Sequence, residues 1–114
     1  MVELELTSTD LQHHRVAGSP TLTNGKEACG LLDPAFTELA SGEQTPAPRT
    51  IEISLGGITN GNSVIVSLML VWMRRARKAG VAILFRDIPP LVLSLIEFTG
   101  LDEVLPIART GAAV

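Results

Sequence analysis

The segment that most constrains this chain runs from Ile51 to Phe85. Ile51, Ile53 and Leu55 alternate with polar residues up to Gly56-Gly57, a polar turn follows, and residues 63 to 78 carry helical periodicity as far as Gly80. Val81 to Phe85 is then a continuous apolar run. Strand, long helix and strand with glycine at each corner is the pattern of a parallel crossover, which is right-handed in nearly all cases because strand twist lets the helix pack back only that way. The unbroken apolar run after Gly80 predicts a strand covered on both faces.

The flanking segments extend this unit. Val2, Leu4 and Leu6 alternate with Glu3, Glu5 and Thr7, which is the period of a strand with one wet face. A second extended run, Leu11 to Ala17, ends at Gly18-Ser-Pro-Thr21 and pairs with the first as a hairpin through Ser8 to Asp10. Asn24 to Glu27 has the spacing of a capping box, so a first helix is expected to start there, with a kink or restart at Asp33-Pro34 and an end near Ala40. Ser41 to Arg49 holds Gly42, Pro46 and Pro48 and reads as an exposed loop. Asp87, Pro89 and Pro90 open a last helix with Leu91, Leu95 and Phe98 on one stripe, and Gly100 stops it. Leu101 to Pro106 is a short closing element with Asp102 and Glu103 as first-turn acids. The expected fold is α/β (α+β mixed), a mixed four-stranded sheet with helices packed on it in the order β-β-α-β-α-β-α. Residues 1–107 form its one domain and 108–114 a flexible tail.

Function classes fall away in turn. With 114 residues the chain holds one core without metal or disulfide. A net charge of -3 argues against general nucleic-acid binding, where affinity comes from neutralising phosphates, and the cluster Arg74, Arg75, Arg77, Lys78 is local. The single cysteine, Cys29, forms no internal disulfide and reads as a buried small hydrophobe in a reducing compartment. Acids at Glu3 and Glu5 stand where a signal peptide needs positive charge, and the longest apolar run, Val64 to Met73, is about half of a membrane span. The expected location is cytoplasmic, with no direct membrane insertion. His13 and His14 are adjacent on a strand, point to opposite faces and cannot chelate one metal. No nucleophile elbow or phosphate-binding glycine loop is present in the sequence, so neither an enzyme nor a nucleotide cofactor is expected.

What remains is a docking helix. On a helical wheel Ile65, Leu68, Met69, Trp72 and Ala76 share the core face, whereas Ser63, Ser67, Arg74 and Lys78 lie opposite, flanked by Val64, Leu70 and Val71. Asn62 and Ser63 are placed to cap its start. With 46% hydrophobic residues and a mean hydropathy of +0.33, the chain has apolar surface to spare for a partner. A phosphate on Ser63 would sit at the positive end of the helix dipole while adding charge to a docking surface.

These residues resemble a STAS domain, in which a strand leads to an Asp-Ser step, a Leu-rich helix, a Gly, another strand and a helix ending near Gly-Leu. Asn62-Ser63 stands at the Asp-Ser step, Leu68 to Leu70 in the Leu-rich segment, Gly80 at the glycine, and Thr99 to Pro106 at the close. Gly18-Ser-Pro-Thr21 resembles the turn before the family's first helix. Asn62 replaces the usual acid and Val64-Ile65 the small residues after the serine, which favours docking over phosphorylation. The short chain, the basic helix end and the Gly100 to Pro106 close look most like MlaB-type members. That resemblance implies a non-catalytic adaptor, peripheral to the inner membrane, that binds the ATPase subunit of a phospholipid ABC transporter with its permease complex and so serves outer-membrane lipid asymmetry. The implied contact residues are Asn62, Ser63, Val64, Ser67, Leu70, Val71 and Arg74. The alternative is an anti-sigma factor antagonist-type switch phosphorylated at Ser63. A homodimer through the same apolar flank is expected of the isolated chain.

Overall fold

The computed structural model describes residues 4–10, 12–41 and 49–108. Its elements in chain order are β1 Glu5–Ser8, β2 His13–Gly18, α1 Leu22–Ala28, α2 Asp33–Ser41, β3 Thr50–Ile58, α3 Ser63–Lys78, β4 Ala82–Arg86, α4 Pro90–Phe98 and a single 3₁₀ turn at Leu101–Glu103. The strands lie in the order β1-β2-β3-β4, with β1 antiparallel to β2 and the remaining pairs parallel. The sheet is therefore mixed and four-stranded, as its residue pattern predicts.

Alternation along the strands sets which face is covered. Val16, Ile51, Ile53, Leu55, Ile83 and Phe85 are buried beneath the helices, and their neighbours His13, Arg15, Glu52, Ser54 and Arg86 face outward and are exposed or half-buried. One side of the sheet is thus open. Ala82 is exposed and Leu84 half-buried, so β4 is not covered on both faces as the apolar run suggests. Its free edge is met instead by Pro106 to Ala108, which exchange backbone hydrogen bonds with Phe85 at 2.9 and 2.8 Å. Ala108 is tied to the sheet, whereas the rest of the expected tail lies outside the described residues, as do 42–48 of the expected loop and the start of the first strand.

Three other expectations shift. The first helix begins at Leu22, because Thr21 is the N-cap and Asn24 is the third helical residue, its side chain bonding back to the Thr21 N–H at 2.8 Å. The box is real and sits three residues earlier. Asp33-Pro34 does restart the helix, so α1 and α2 are separate and α2 runs on to Ser41. Strand β3 continues through Gly56-Gly57 to Ile58, because a Cβ at Gly57 would lie 2.6 Å from that of Ala17, where β2 slips register. Glycine admits the bulge and does not end the strand.

Helix α3 is the strut of the helical layer and packs against α1, α2, α4 and β4. Ile65, Met69, Trp72 and Ala76 are wholly buried, and the indole N–H of Trp72 donates to the Ala28 carbonyl at 2.9 Å. That carbonyl, at the end of α1, also accepts from the Leu31 N–H at 3.0 Å, so the indole takes up its second lone pair. Trp72→Phe should cost about 2–3 kcal/mol, combining the cavity left by the smaller ring with the loss of one buried hydrogen bond. Urea unfolding with an unchanged slope checks it.

The hairpin turn is organised by Asp10, whose carboxylate accepts from the backbone N–H of Gln12 and His13 at 2.8 and 2.9 Å and meets the His13 ring at 2.9 Å. The hydrogen bond between the two side chains raises the pKa of His13 above its ordinary 6.5 and lowers that of Asp10 below 3.8. Stability from His13 is therefore complete below pH 6.5 and fades as pH rises through its raised value; stability from Asp10 is complete above pH 3.8 and fades as pH falls through its lowered value. The stability difference between wild type and His13→Ala should be largest between those values and shrink on either side. Thermal unfolding across pH measures it, and a difference flat with pH would remove the pair from the turn's energetics.

Candidate functional site

The tip of α3 is built by the turn after β3. Asn62 caps the helix by accepting from the Val64 N–H at 2.8 Å, and its amide donates to the Pro20 carbonyl at 2.9 Å, which ties the tip to the β2–α1 turn. Because Asn62 takes the capping role, Ser63 is the first helical residue, exposed, with its hydroxyl turned out of the cap. Asn60 and Asp87, in the turns after β3 and β4, both adopt positive φ, 51° and 55°. The two non-glycine residues with this backbone among those described thus lie on the carboxyl edge of the sheet, the edge that carries Ser63.

Glycines bring the elements close. A Cβ at Gly61 would stand 2.4 Å from Val92 Cγ2, which sets the first turn of α4 beside the start of α3. A Cβ at Gly25 would stand 2.8 Å from Val64 Cγ1, so α1 is seated directly on Val64. Val64 and Leu70 are half-buried and packed on the core, whereas Val71 is half-buried without belonging to it.

Seven residues were expected to form the docking surface, and the geometry divides them. Ser63, Ser67 and Arg74 are exposed along one ridge, Val64 and Val71 line its α1 side, Leu70 lies on the other side, and Asn62 is a structural cap. Between α1 and α3 lies a largely apolar cleft of about 200 Å³ lined by Gly25, Lys26, Cys29, Val64, Ser67, Leu68 and Val71. Sequence reasoning missed the α1 share of it. The signal was Gly25 inside a helix, which marks close approach of another element. Cys29 is half-buried at this cleft, not buried in the core, and its thiol donates to the Gly25 carbonyl at 3.5 Å.

The basic cluster also divides. Arg75 pairs with Asp33 of α2 at 2.6 Å, whereas Arg74, Arg77 and Lys78 are exposed and make no ion pair among the described residues. On α4, Val92 and Ile96 face the core. Of the expected stripe only Leu95 packs against the core, half-buried, whereas Leu91 is 59% and Phe98 89% exposed. On the open face of the sheet Glu52 bridges Arg86 at 2.6 Å and His13 at 3.4 Å, and Ser54 donates to Asp87 at 2.8 Å. His14 points the opposite way, buried, 2.6 Å from the Ser8 hydroxyl. Among the described residues no group of three metal-ligating side chains converges, and no helix is long and apolar enough to cross a membrane.

Residues 28–106 match the family model described as Mlab, STAS domain. The chain belongs to the STAS domain family. Two solved structures share the fold. An anti-sigma-factor antagonist (STAS) domain protein from Planctomyces limnophilus is 18% identical, with a TM-score of 0.64 over 98% of this chain and 95% of that one. The anti-sigma factor antagonist SpoIIAA in its unphosphorylated form is 17% identical, with a TM-score of 0.63 over 96% and 91%. No curated protein sequence matches the chain. STAS domains are typically regulatory or binding domains that mediate protein–protein contacts, and the α3 surface has the exposure that such a role requires.

The close approach at Gly61 is testable. Gly61→Ala should destabilise by about 1–3 kcal/mol through overpacking against Val92, and Val92→Ala by about 1–2 kcal/mol through lost burial. The double variant should cost less than the sum, because the smaller residue makes room; a double-mutant cycle in urea checks it.

Proposed function

We propose that this STAS domain is a non-catalytic adaptor that docks the α3 ridge and the α1–α3 cleft on the ATPase subunit of an ABC transporter for phospholipids, favouring its assembled state. It would then lie at the cytoplasmic side of the inner membrane through that partner and the permease. The observation that carries this reading is the exposed ridge Ser63, Ser67 and Arg74 beside an apolar cleft, on a helix whose opposite face, Ile65, Met69, Trp72 and Ala76, is wholly buried. The Mlab label of the matching family supports the choice of partner. Lys26 at the cleft and Arg74 farther along the ridge would favour an acidic partner surface, and a cleft of about 200 Å³ admits one or two apolar side chains.

A second reading has its own observation. Ser63 is exposed and relieved of capping, so a phosphate on it would sit at the helix N-terminus, with Lys26 of α1 in the neighbouring cleft. In a switch of the anti-sigma antagonist kind that modification would release the partner.

Affinity purification of the tagged chain from its native cells, with mass spectrometry of what accompanies it, separates the two. Recovery of an ABC ATPase with its permease is expected, and Ser63→Arg or Ser67→Arg should reduce it at least tenfold while leaving the thermal midpoint within a few degrees, since both side chains are exposed. Recovery of a serine kinase or anti-sigma factor, with phosphate on Ser63, would replace the adaptor by the switch.

A further inference from the structure

Between the last turns of α3, the start of β4 and the 3₁₀ turn lies a cavity of about 690 Å³, at the amino edge of the parallel strands and so at the opposite end of α3 from Ser63. Met73, Val81 and Ile83 line it and are buried, whereas Val104 lines it and is 53% exposed. Gly80 stands at its border with a φ of 81°, and a Cβ there would meet nothing within 4 Å, so the cavity opens on that side. Val104 is held in place by its neighbours. Leu105 is buried, and the Pro106 carbonyl accepts from the Phe85 N–H at 2.9 Å, which anchors the segment to both the core and β4.

The lining says what chemistry fits. Among the described residues that line the cavity, the polar side chains are Arg49 and Arg77, and the rest are glycine or apolar without an aromatic ring. A sugar, nucleoside or peptide would leave most of its polar groups unpaired against such walls, and a planar base would find no ring to stack on. Two guanidiniums instead select an oxyanion. Arg49 is fixed at this wall by donating to the Ala40 carbonyl, and Arg77 is exposed one helical turn from Met73, with no ion pair among the described residues. In a chain of net charge -3 this end therefore pairs positive charge with an aliphatic surface.

We propose that the cavity is a binding site for a small amphipathic anion, an aliphatic chain ending in a carboxylate, its charge met by Arg49 and Arg77 and its chain lying on Met73, Val81, Ile83 and Val104. The volume falls within the roughly 300–1,000 Å³ of small-molecule sites. A membrane lipid offers a similar anion but carries two long chains, which favours a free single-chain ligand. Arg77 lies about 21 Å along α3 from Ser63, so the site shares no residue with the docking ridge and does not rest on the adaptor reading.

Titration of the full chain with decanoate, followed by calorimetry and backbone amide NMR shifts, tests it. Saturable binding at one site is expected, with shifts concentrated at residues 77–83 and 104–106. Decanol, which lacks the charge, and acetate, which lacks the chain, should each bind at least tenfold more weakly. Arg77→Gln should weaken decanoate at least fivefold and Val104→Asp at least tenfold, with both chains folded because both side chains are exposed. Lys78→Gln, which removes a neighbouring base, and Phe98→Ser, which removes the exposed aromatic of α4, should each change the affinity less than twofold. Absence of saturation by about 5 mM, equal affinity for decanol, or indifference to both Arg77→Gln and Val104→Asp overturns the proposal. So does binding to phosphatidylglycerol vesicles without binding of free decanoate. None of these outcomes bears on the adaptor reading, which stands or falls on whether Ser63→Arg loses the ATPase.

Discussion

The buried Trp72 and its hydrogen bond to Ala28 fix the position on which the rest of the molecule depends. A large aromatic with one donor is buried at little cost only where that donor finds an acceptor, and the Ala28 carbonyl, already bonded to the Leu31 N–H, offers its second lone pair. The bond sets both the depth and the rotation of α3 over the sheet. With that rotation set, Ile65, Met69 and Ala76 must point inward, Arg75 must meet Asp33, and Ser63, Ser67 and Arg74 must face solvent. The proposed docking surface is therefore the remainder left once core packing has been satisfied.

The same rotation divides the residues of the proposed docking surface into two kinds. Val64 and Leu70 contribute to the core as well as to the surface, so substitutions there confound folding with binding. Ser63, Ser67 and Arg74 contribute to neither the core nor an ion pair, so they report on docking alone. The turn that holds the tip behaves accordingly. Asn62 is committed at both ends of its amide, Asn60 carries positive φ, and Gly61 admits Val92, so the tip is held rigid by groups that are not themselves presented to a partner.

Much of this was legible in the residues. Strands, the long helix, its cap and the proline restart all follow from local periodicity and turn chemistry, which act over a few residues. Positions decided by tertiary contact were not legible. Asn24 has the spacing of an N-cap, and the box at Thr21 places it at the third helical position because its amide reaches back to Thr21 and Ser19. Gly56-Gly57 looks like a terminator, and it becomes strand because Ala17 on the neighbouring strand leaves no room for a side chain. Helix α4 is apolar around much of its circumference, Leu91, Val92, Leu93, Leu95, Ile96 and Phe98 being separated only by Ser94 and Glu97, so periodicity alone offers two equivalent core faces. Contact between Val92 and Gly61 chooses one of them. The part of the site on α1 was hidden for the same reason, because Lys26 and Cys29 reach the cleft only through the packing of α1 on Val64.

A chain this small gains from every apolar residue it can bury, yet Phe98 is left almost wholly in water. Replacing Phe98 by a polar residue would cost the fold little, since the side chain removes almost no area from water in the isolated domain. Folding therefore gives no account of it, and burying an aromatic of this size would be worth about 2–3 kcal/mol to whichever surface covered it.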